Sequence, residues 1–190
     1  MKYRFLAVIF ALLIPLAIGS SGNAAEGSSD IQEPTVESAP EVESDLSSLS
    51  NDWYTYTAKD GSYTVKFPGK PLEESSNRAT YGDQLLAYMT QINDFSDTAG
   101  FDEIQIEDIF AAIRSSLAKD NRIEQEEEIT LNGYSGIELT LRREDGLALK
   151  MRIFFDMNER KLYQAIVGSS AGNISLPEAE AFLNSFEIAR

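Results

Sequence analysis

The side chains that do most protein chemistry are missing from this chain: among its 190 residues there is no histidine and no cysteine. Thiol nucleophiles, imidazole bases and the common zinc, copper and haem sites go with them. Carboxylates, hydroxyls and amines remain. Gly133-Tyr134-Ser135-Gly136 carries part of a nucleophile elbow, but the fifth position is Ile137 and no imidazole exists to activate the serine, so the stretch reads as a turn. Glu124, Glu126, Glu127 and Glu128 offer oxygen ligands for calcium. Strand alternation, however, sends Glu126 and Glu128 to one face and Glu127 to the other, the pattern of an edge strand guarded by charge. Asp94, Asp97, Asp102 and Glu103 lack the spacing of an EF-hand. No metal site and no cofactor is expected, although a pair of carboxylates for acid and base work stays open among so many.

The basic residues give a narrower expectation. Lys150 and Arg152 alternate with apolar positions in one strand, so both should share a sheet face, near Arg142 or Arg143 of the neighbouring strand. In an acidic domain these four residues could form an anion or partner patch. The alternative is a cross-strand ion-pair network with nearby Glu or Asp. Overall, 16 basic against 31 acidic residues give a net charge of −15, which repels phosphate backbones and anionic headgroups. Nucleic acid is not an expected partner; a basic protein surface or a divalent cation is better matched.

The elements that must position these residues follow from hydrophobic periodicity. Leu147, Leu149, Met151, Ile153 and Phe155 alternate along one strand, and after a polar turn the run to Val167 is apolar on both faces. This hairpin from Gly146 to Val167 is the best-patterned part of the chain. A three-residue loop at Asn158-Glu159-Arg160 would put Phe155 opposite Tyr163, Ile153 opposite Ala165 and Met151 opposite Val167. Upstream, Ile123 to Leu131 leads through Asn132-Gly133 into the strand of Ile137, Leu139 and Leu141, and Asp145-Gly146 turns again, completing a meander. Trp53 to Thr57 and Ser62 to Phe67 flank a turn at Lys59-Asp60-Gly61, and Leu85 to Ile92 is a further strand with either Leu85, Ala87 and Met89 or Leu86 and Tyr88 facing inward. Ile106, Ile109, Phe110, Ile113 and Leu117 form the stripe of an amphipathic helix within Phe101 to Asp120, with Asp102 and Gln105 as a capping box. Ser175-Leu176-Pro177-Glu178 opens a second, shorter helix with Ala179, Phe182 and Phe186 on one stripe. The expected class is α+β, with a central, mainly antiparallel sheet and helices packed on it.

Before Trp53 the chain has a different composition. Lys2 and Arg4 precede an apolar run from Phe5 to Ile18, then small residues with Gly22 and Ala24 where a signal peptidase would read. The expected organisation is a secretory signal over 1–24 cleaved after Ala24, an acidic linker over 25–52, and a domain over 53–190. The linker contains eight acidic and no basic or aromatic residues, too little apolar surface to offset its ordering entropy. Export would place the domain in a periplasm, a thylakoid lumen or the extracellular space. An uncleaved signal anchor is the alternative.

The stretch Asp60-Gly61-Ser62-Tyr63-Thr64-Val65-Lys66-Phe67-Pro68-Gly69-Lys70-Pro71, the segment Ile129-Thr130-Leu131-Asn132-Gly133-Tyr134 with Gly136, the pair Arg152-Ile153-Phe154 and Leu162-Tyr163-Gln164, and Phe182-Leu183-Asn184-Ser185-Phe186 together resemble exported proteins of the PsbP-like superfamily. The resemblance spans Asp60 to Phe186 and implies a three-layer α/β/α sandwich with an antiparallel sheet. It also implies a non-catalytic binding role, since family members bind photosystem II as extrinsic lumenal proteins and a distant branch binds the Ran GTPase. Pro68-Gly69-Lys70-Pro71 departs from the Pro-x-Gly-Trp type of turn of true PsbP, and the metal-binding histidines of the plant proteins have no counterpart here. Three functions are therefore carried forward. The first is an exported protein-binding or assembly module, peripheral to a membrane complex and possible in a photosystem context. The second is a small-molecule or carboxylate-based site in a pocket between sheet and helix, and the third a structural envelope protein held by its anchor.

Overall fold

In a computed structural model, residues 52–98, 101 and 104–189 are described. The signal, its cleavage point at Ala24, the linker up to residue 51, and Asp102 with Glu103 lie outside the described residues. The domain is α+β, built mainly of antiparallel strands with two helices. The strands are β1 (Tyr54–Thr57), β2 (Tyr63–Phe67), β3 (Glu73–Glu74), β4 (Arg78–Gly82), β5 (Ala87–Asp94), β6 (Asn121–Leu131), β7 (Tyr134–Arg143), β8 (Ala148–Asp156), β9 (Lys161–Ser169) and β10 (Glu187–Ile188). The helices are α1 (Ile106–Leu117) and α2 (Pro177–Asn184). A seven-stranded sheet runs β3-β4-β5-β9-β8-β7-β6, and a separate three-stranded sheet runs β1-β2-β10.

The meander β6 to β9 has the expected order, and its turns show why. Asn132 and Gly133 take φ of 54° and 92°, and Gly146 takes 91°, the left-handed values that a tight hairpin turn demands and that Asn and Gly tolerate. The β8–β9 register is one residue away from the expected one. Asp156 pairs with Lys161, Phe155 with Leu162, Phe154 with Tyr163, Ile153 with Gln164 and Met151 with Ile166. The connection is therefore the four residues Met157 to Arg160. The Asp156 carboxylate accepts the backbone N–H groups of Asn158 and Glu159 at 2.8 and 3.0 Å, and Arg160 adopts a φ of 56°. Because β9 is buried on both faces, a one-residue slip leaves apolar side chains inside whichever way they point. The hydrophobic pattern therefore does not fix this register.

Two apolar clusters occupy the two faces of the large sheet. On one face Ile109, Phe110, Ile113 and Leu117 of α1 pack on Ile137, Leu139, Leu141, Met151, Ile153 and Phe155. On the other, Phe182 and Phe186 join Tyr63, Val65 and Phe67 of the small sheet over Tyr88, Tyr163, Ala165 and Val167. A buried hydrogen bond of 2.7 Å between the Tyr63 hydroxyl and Thr90 Oγ1 ties the two sheets together. Burial chiefly pushes the Tyr63 phenol far above its usual range.

Ser175 does not cap the second helix, and Asp102 of the box expected for the first lies outside the described residues. α1 begins with Gln105 at its N-cap and α2 with Leu176, both without a side-chain cap bond. Phe101, at the edge of the expected helical stretch, lies ahead of α1 and stacks on Phe155 with ring centroids 5.5 Å apart. Leu86 and Tyr88 are buried in one cluster and Met89 in the other, while Leu85 is exposed, so both expected faces of β5 are covered and only Leu85 is turned out.

Candidate functional site

On β7 the apolar positions Ile137, Leu139 and Leu141 point towards α1, so Glu138, Thr140 and Arg142 must point to the other face. There they meet β8 in register: Glu138 opposite Arg152, Thr140 opposite Lys150 and Arg142 opposite Ala148. The Glu138 carboxylate lies between two cations, accepting from Arg152 Nε at 2.6 Å and standing 3.0 Å from Lys150 Nζ. Glu180, on the first turn of α2, closes over the same pair: it bonds Lys150 and lies 4.0 Å from Arg152 Nη2. This four-residue network joins helix to sheet at the point where the apolar covering layer ends.

Its side chains are 15–29% exposed, so the charges are only partly hydrated. Burial opposes the ionised form of Glu138, yet the hydrogen bonds from Arg152 and Lys150 outweigh it and hold its carboxyl below the usual range. Burial likewise opposes the Lys150 ammonium, and Glu180 and Glu138 overcome it to raise the Lys150 pKa.

The expected basic patch is divided by the same alternation. Arg142 shares the face of Lys150 and Arg152, whereas Arg143 points to the opposite face. Arg142 Nε donates to Glu124 Oε1 at 3.0 Å and its Nη1 to the Gly172 carbonyl at 2.9 Å. Arg142 stands directly opposite Arg122 on β6, a like-charge pairing that would destabilise the sheet. A register shift between Ile123 and Gln125 marks a bulge at Glu124, whose carboxylate serves both arginines. Arg143 forks onto Asp145 in the next turn, accompanied by a fall of the Asp145 pKa to about 2 caused first by that hydrogen bond. Each of the four sequence-picked cations thus faces a carboxylate.

Beyond this network the face becomes open and acidic. Gln125, Glu126, Glu127, Glu138 and Thr140 line a shallow depression of about 360 Å³. β6 is the outermost strand of the large sheet, eleven residues long, and all of Glu124 to Glu128 is exposed. Arg114 of α1 takes Glu126, but Glu127 and Glu128 have no cationic partner among the described residues. No three acidic residues gather as a metal site among the described residues.

The Gly-Tyr-Ser-Gly stretch has a packing explanation. Gly136 lies opposite Phe154, and a Cβ there would meet the Phe154 ring and come within 2.6 Å of the Ile153 carbonyl oxygen. Phe154 lies across the glycine and stacks on Phe186 with centroids 6.2 Å apart.

Sequence reasoning named neither Glu138 nor Glu180, although Glu138 alternates plainly with Ile137 and Leu139. It also passed over Gln91, Asn93 and Gln164, three buried amides on the sheet face that α1 covers. Gln91 lies opposite Gln164, and its Nε2 donates to Asn93 Oδ1 at 2.8 Å. Asn93 Nδ2 and Gln164 Nε2 have no hydrogen-bond partner among the described residues. Their signal in sequence was polarity at positions two apart from Met89 and Ile166 in otherwise apolar strands.

No protein-family model matches the chain, and no curated protein matches it. Among solved structures it is similar to the cyanobacterial PsbP (CyanoP) of Synechocystis, at 13% identity and a TM-score of 0.49, over 81% of this chain and 99% of that one. It is also similar to a protein of unknown function from Pseudomonas aeruginosa described as a putative regulator, at 11% identity, 62% and 82% coverage and a TM-score of 0.40. A third likeness, to the Ran-binding protein Mog1p of Saccharomyces cerevisiae, has 8% identity, 72% and 95% coverage and a TM-score of 0.39. These likenesses concern the backbone, and no functional residue is carried over from them.

Proposed function

We propose that this chain is an exported, protein-binding accessory module of PsbP-like, three-layer α/β/α architecture, which docks a basic partner surface along the β6 edge of its large sheet. The observation that carries this reading is the state of its charges. Arg142, Arg143, Lys150 and Arg152 are already faced by carboxylates, while Glu127 and Glu128 stand on an exposed edge without a cation among the described residues. An acidic edge repels a second copy of itself, which protects it from self-pairing. A basic strand or loop meets complementary charge and an open row of backbone groups. The apolar leader and acidic tether in the sequence suit a module presented at a distance from its point of attachment. Intact mass of the purified protein separates a form cleaved after Ala24 from one held by its anchor.

The test is a photo-crosslinking residue placed at position 127 in the native host. The reading expects one reproducible adduct, suppressed when Glu126 and Glu128 are changed to Lys and by raised salt. Absence of an adduct, or one indifferent to both changes, overturns it.

A second reading, a small-molecule site between sheet and helix, is favoured by the two unpartnered amide groups of Asn93 and Gln164. Such buried donors each cost about 1–3 kcal/mol when unmet, so an acceptor-bearing ligand would gain by meeting them. A thermal shift with small carboxylic acids that disappears in Gln164→Leu would support that reading; no shift with any of them removes it.

A further inference from the structure

The opposite flank of the large sheet carries a different kind of surface. β4 and β5 form a hairpin in which Tyr81 and Tyr88 are direct partners, with ring centroids 6.0 Å apart. Trp53, just ahead of β1, sets its ring edge-on to Tyr88 at 6.3 Å, and Phe182 of α2 meets Tyr88 at 5.2 Å. Tyr88 is 1% exposed, yet its hydroxyl has no hydrogen-bond partner among the described residues. Trp53 and Tyr81 are only half-buried, so part of their ring surface reaches solvent.

Two carboxylates stand on the elements that carry these rings, the β4–β5 hairpin and α2. Asp83 is held at the hairpin tip, where its Oδ1 accepts the backbone N–H groups of Leu85 and Leu86 at 2.7 and 2.8 Å. Glu178 lies in the first turn of α2. Burial first, and then the charges of Asp83 and Glu178, push the Tyr88 phenol far above its usual range. Both carboxylates are exposed, and neither has a cationic partner among the described residues. On the elements that carry these groups, Leu85 at the hairpin tip is 64% exposed, Leu72, whose backbone N–H bonds the Thr80 carbonyl of β4, is 73% exposed, and Tyr54, next to Trp53, is 40% exposed.

We propose that Trp53, Tyr81 and Tyr88, with Asp83 and Glu178, form a recognition site for a basic side chain of a partner protein, a lysine or arginine flanked by apolar residues. The three chemistries converge on one occupant. Aromatic faces attract a cation, the two carboxylates lack one, and the orphaned hydroxyl, closed off in the unbound protein, gains an ammonium or guanidinium N–H when the half-buried Trp53 and Tyr81 rings that pack on Tyr88 part to admit it. An anion would be repelled by Asp83 and Glu178, and a purely apolar group would leave the hydroxyl unmet. The exposed leucines supply the apolar shoulder. The site lies across the sheet from β6, with four strands between β4 and that edge counted from the strand order, so it stands or falls separately from docking at β6.

Trp53 is the only tryptophan in the chain, so its emission reports directly on the site. The full chain is titrated with a capped Leu-Arg-Leu peptide and, separately, with capped Leu-citrulline-Leu, which has nearly the same shape without the charge. We expect a saturable change in Trp53 emission with the arginine peptide and at least tenfold weaker binding of the citrulline peptide. The double variant Asp83→Asn, Glu178→Gln should weaken arginine-peptide binding at least fivefold, and Tyr88→Phe, which keeps the ring, should weaken it a few-fold. Circular dichroism and thermal melting check that the variants remain folded; Glu178→Gln alone, on the exposed surface of α2, gives a second variant should Asp83→Asn loosen the hairpin. No saturable change with the arginine peptide, equal binding of the two peptides, or unaltered affinity in Glu178→Gln and the double variant would overturn the proposal.

Discussion

Across one face of the large sheet, the β5–β9 pair and the β8–β7 pair are built from opposite chemistry. In the first pair Tyr88, Tyr163, Ala165 and Val167 are covered by α2 and the small sheet, and their side chains are all but dry. In the second, at the same height above the sheet, stand Glu138, Thr140, Lys150, Arg152 and Arg142. The boundary is the line where α2 ends its cover, and Glu180 sits on it. The difference teaches where charge can be placed in a two-faced sheet: at the limit of the covering layer, where each cation finds a carboxylate and water completes the remaining hydrogen bonds.

The comparison is broken most severely from the covered half. Phe182 is fully buried against the rings of Phe67 and Tyr88, so Phe182→Ala should cost about 3–5 kcal/mol, read from the midpoint and slope of urea unfolding. Gly136→Ala attacks the seam between the halves, because its Cβ enters the space of Phe154 and the Ile153 carbonyl. A loss of about 1–3 kcal/mol is expected there, and an unchanged midpoint would show that Phe154 yields freely.

The charged half should respond less, and with a pH signature. Glu138→Gln leaves Lys150 and Arg152 with Glu180 alone and should cost about 2 kcal/mol near neutral pH. The folded Glu138 pKa lies below its unfolded value, which is about 4.3. The stability it contributes is therefore full above that value and is lost as pH falls through the lower folded pKa. Lys150 has the opposite sign: its folded pKa is raised, so its contribution holds below about 10.4 and fades as pH rises through the folded value. Unfolding curves for wild type and Glu138→Gln should accordingly converge in the acid range; a constant gap from neutral pH into the acid range would contradict the network. Smallest of all is Asp145→Asn, which removes the exposed partner of Arg143 on the other face. It should leave the unfolding midpoint unchanged within error, and a large shift would mean that Arg143 matters more than its position implies.

The legible parts of the fold were those with local causes. Asn132-Gly133 and Asp145-Gly146 announced their hairpins because left-handed backbone favours few residues, and Ile109, Phe110, Ile113 and Leu117 announced α1 by their spacing. β4 was hidden because Arg78-Ala79-Thr80-Tyr81-Gly82 buries only Ala79 fully, and β10 because its pairing of Ile188 with Tyr63 spans most of the domain. The β8–β9 register escaped because β9 is apolar on both sides, so either register satisfies the pattern. For the site, alternation placed Lys150, Arg152 and Arg142 together. Their partners were out of reach because Glu138 arrives through a cross-strand register and Glu180 through the docking of a helix.

The central claim is that the acidic β6 edge, and not the paired cations beside it, receives the partner. The most direct measurement is the dissociation constant of the partner crosslinked at position 127, determined by calorimetry for wild type, for Glu127→Lys with Glu128→Lys, and for Arg142→Gln. The account predicts at least tenfold weaker binding for the glutamate variant, a steep weakening with salt, and little change for Arg142→Gln. Unaltered affinity in the glutamate variant, or a larger loss in Arg142→Gln, would contradict it.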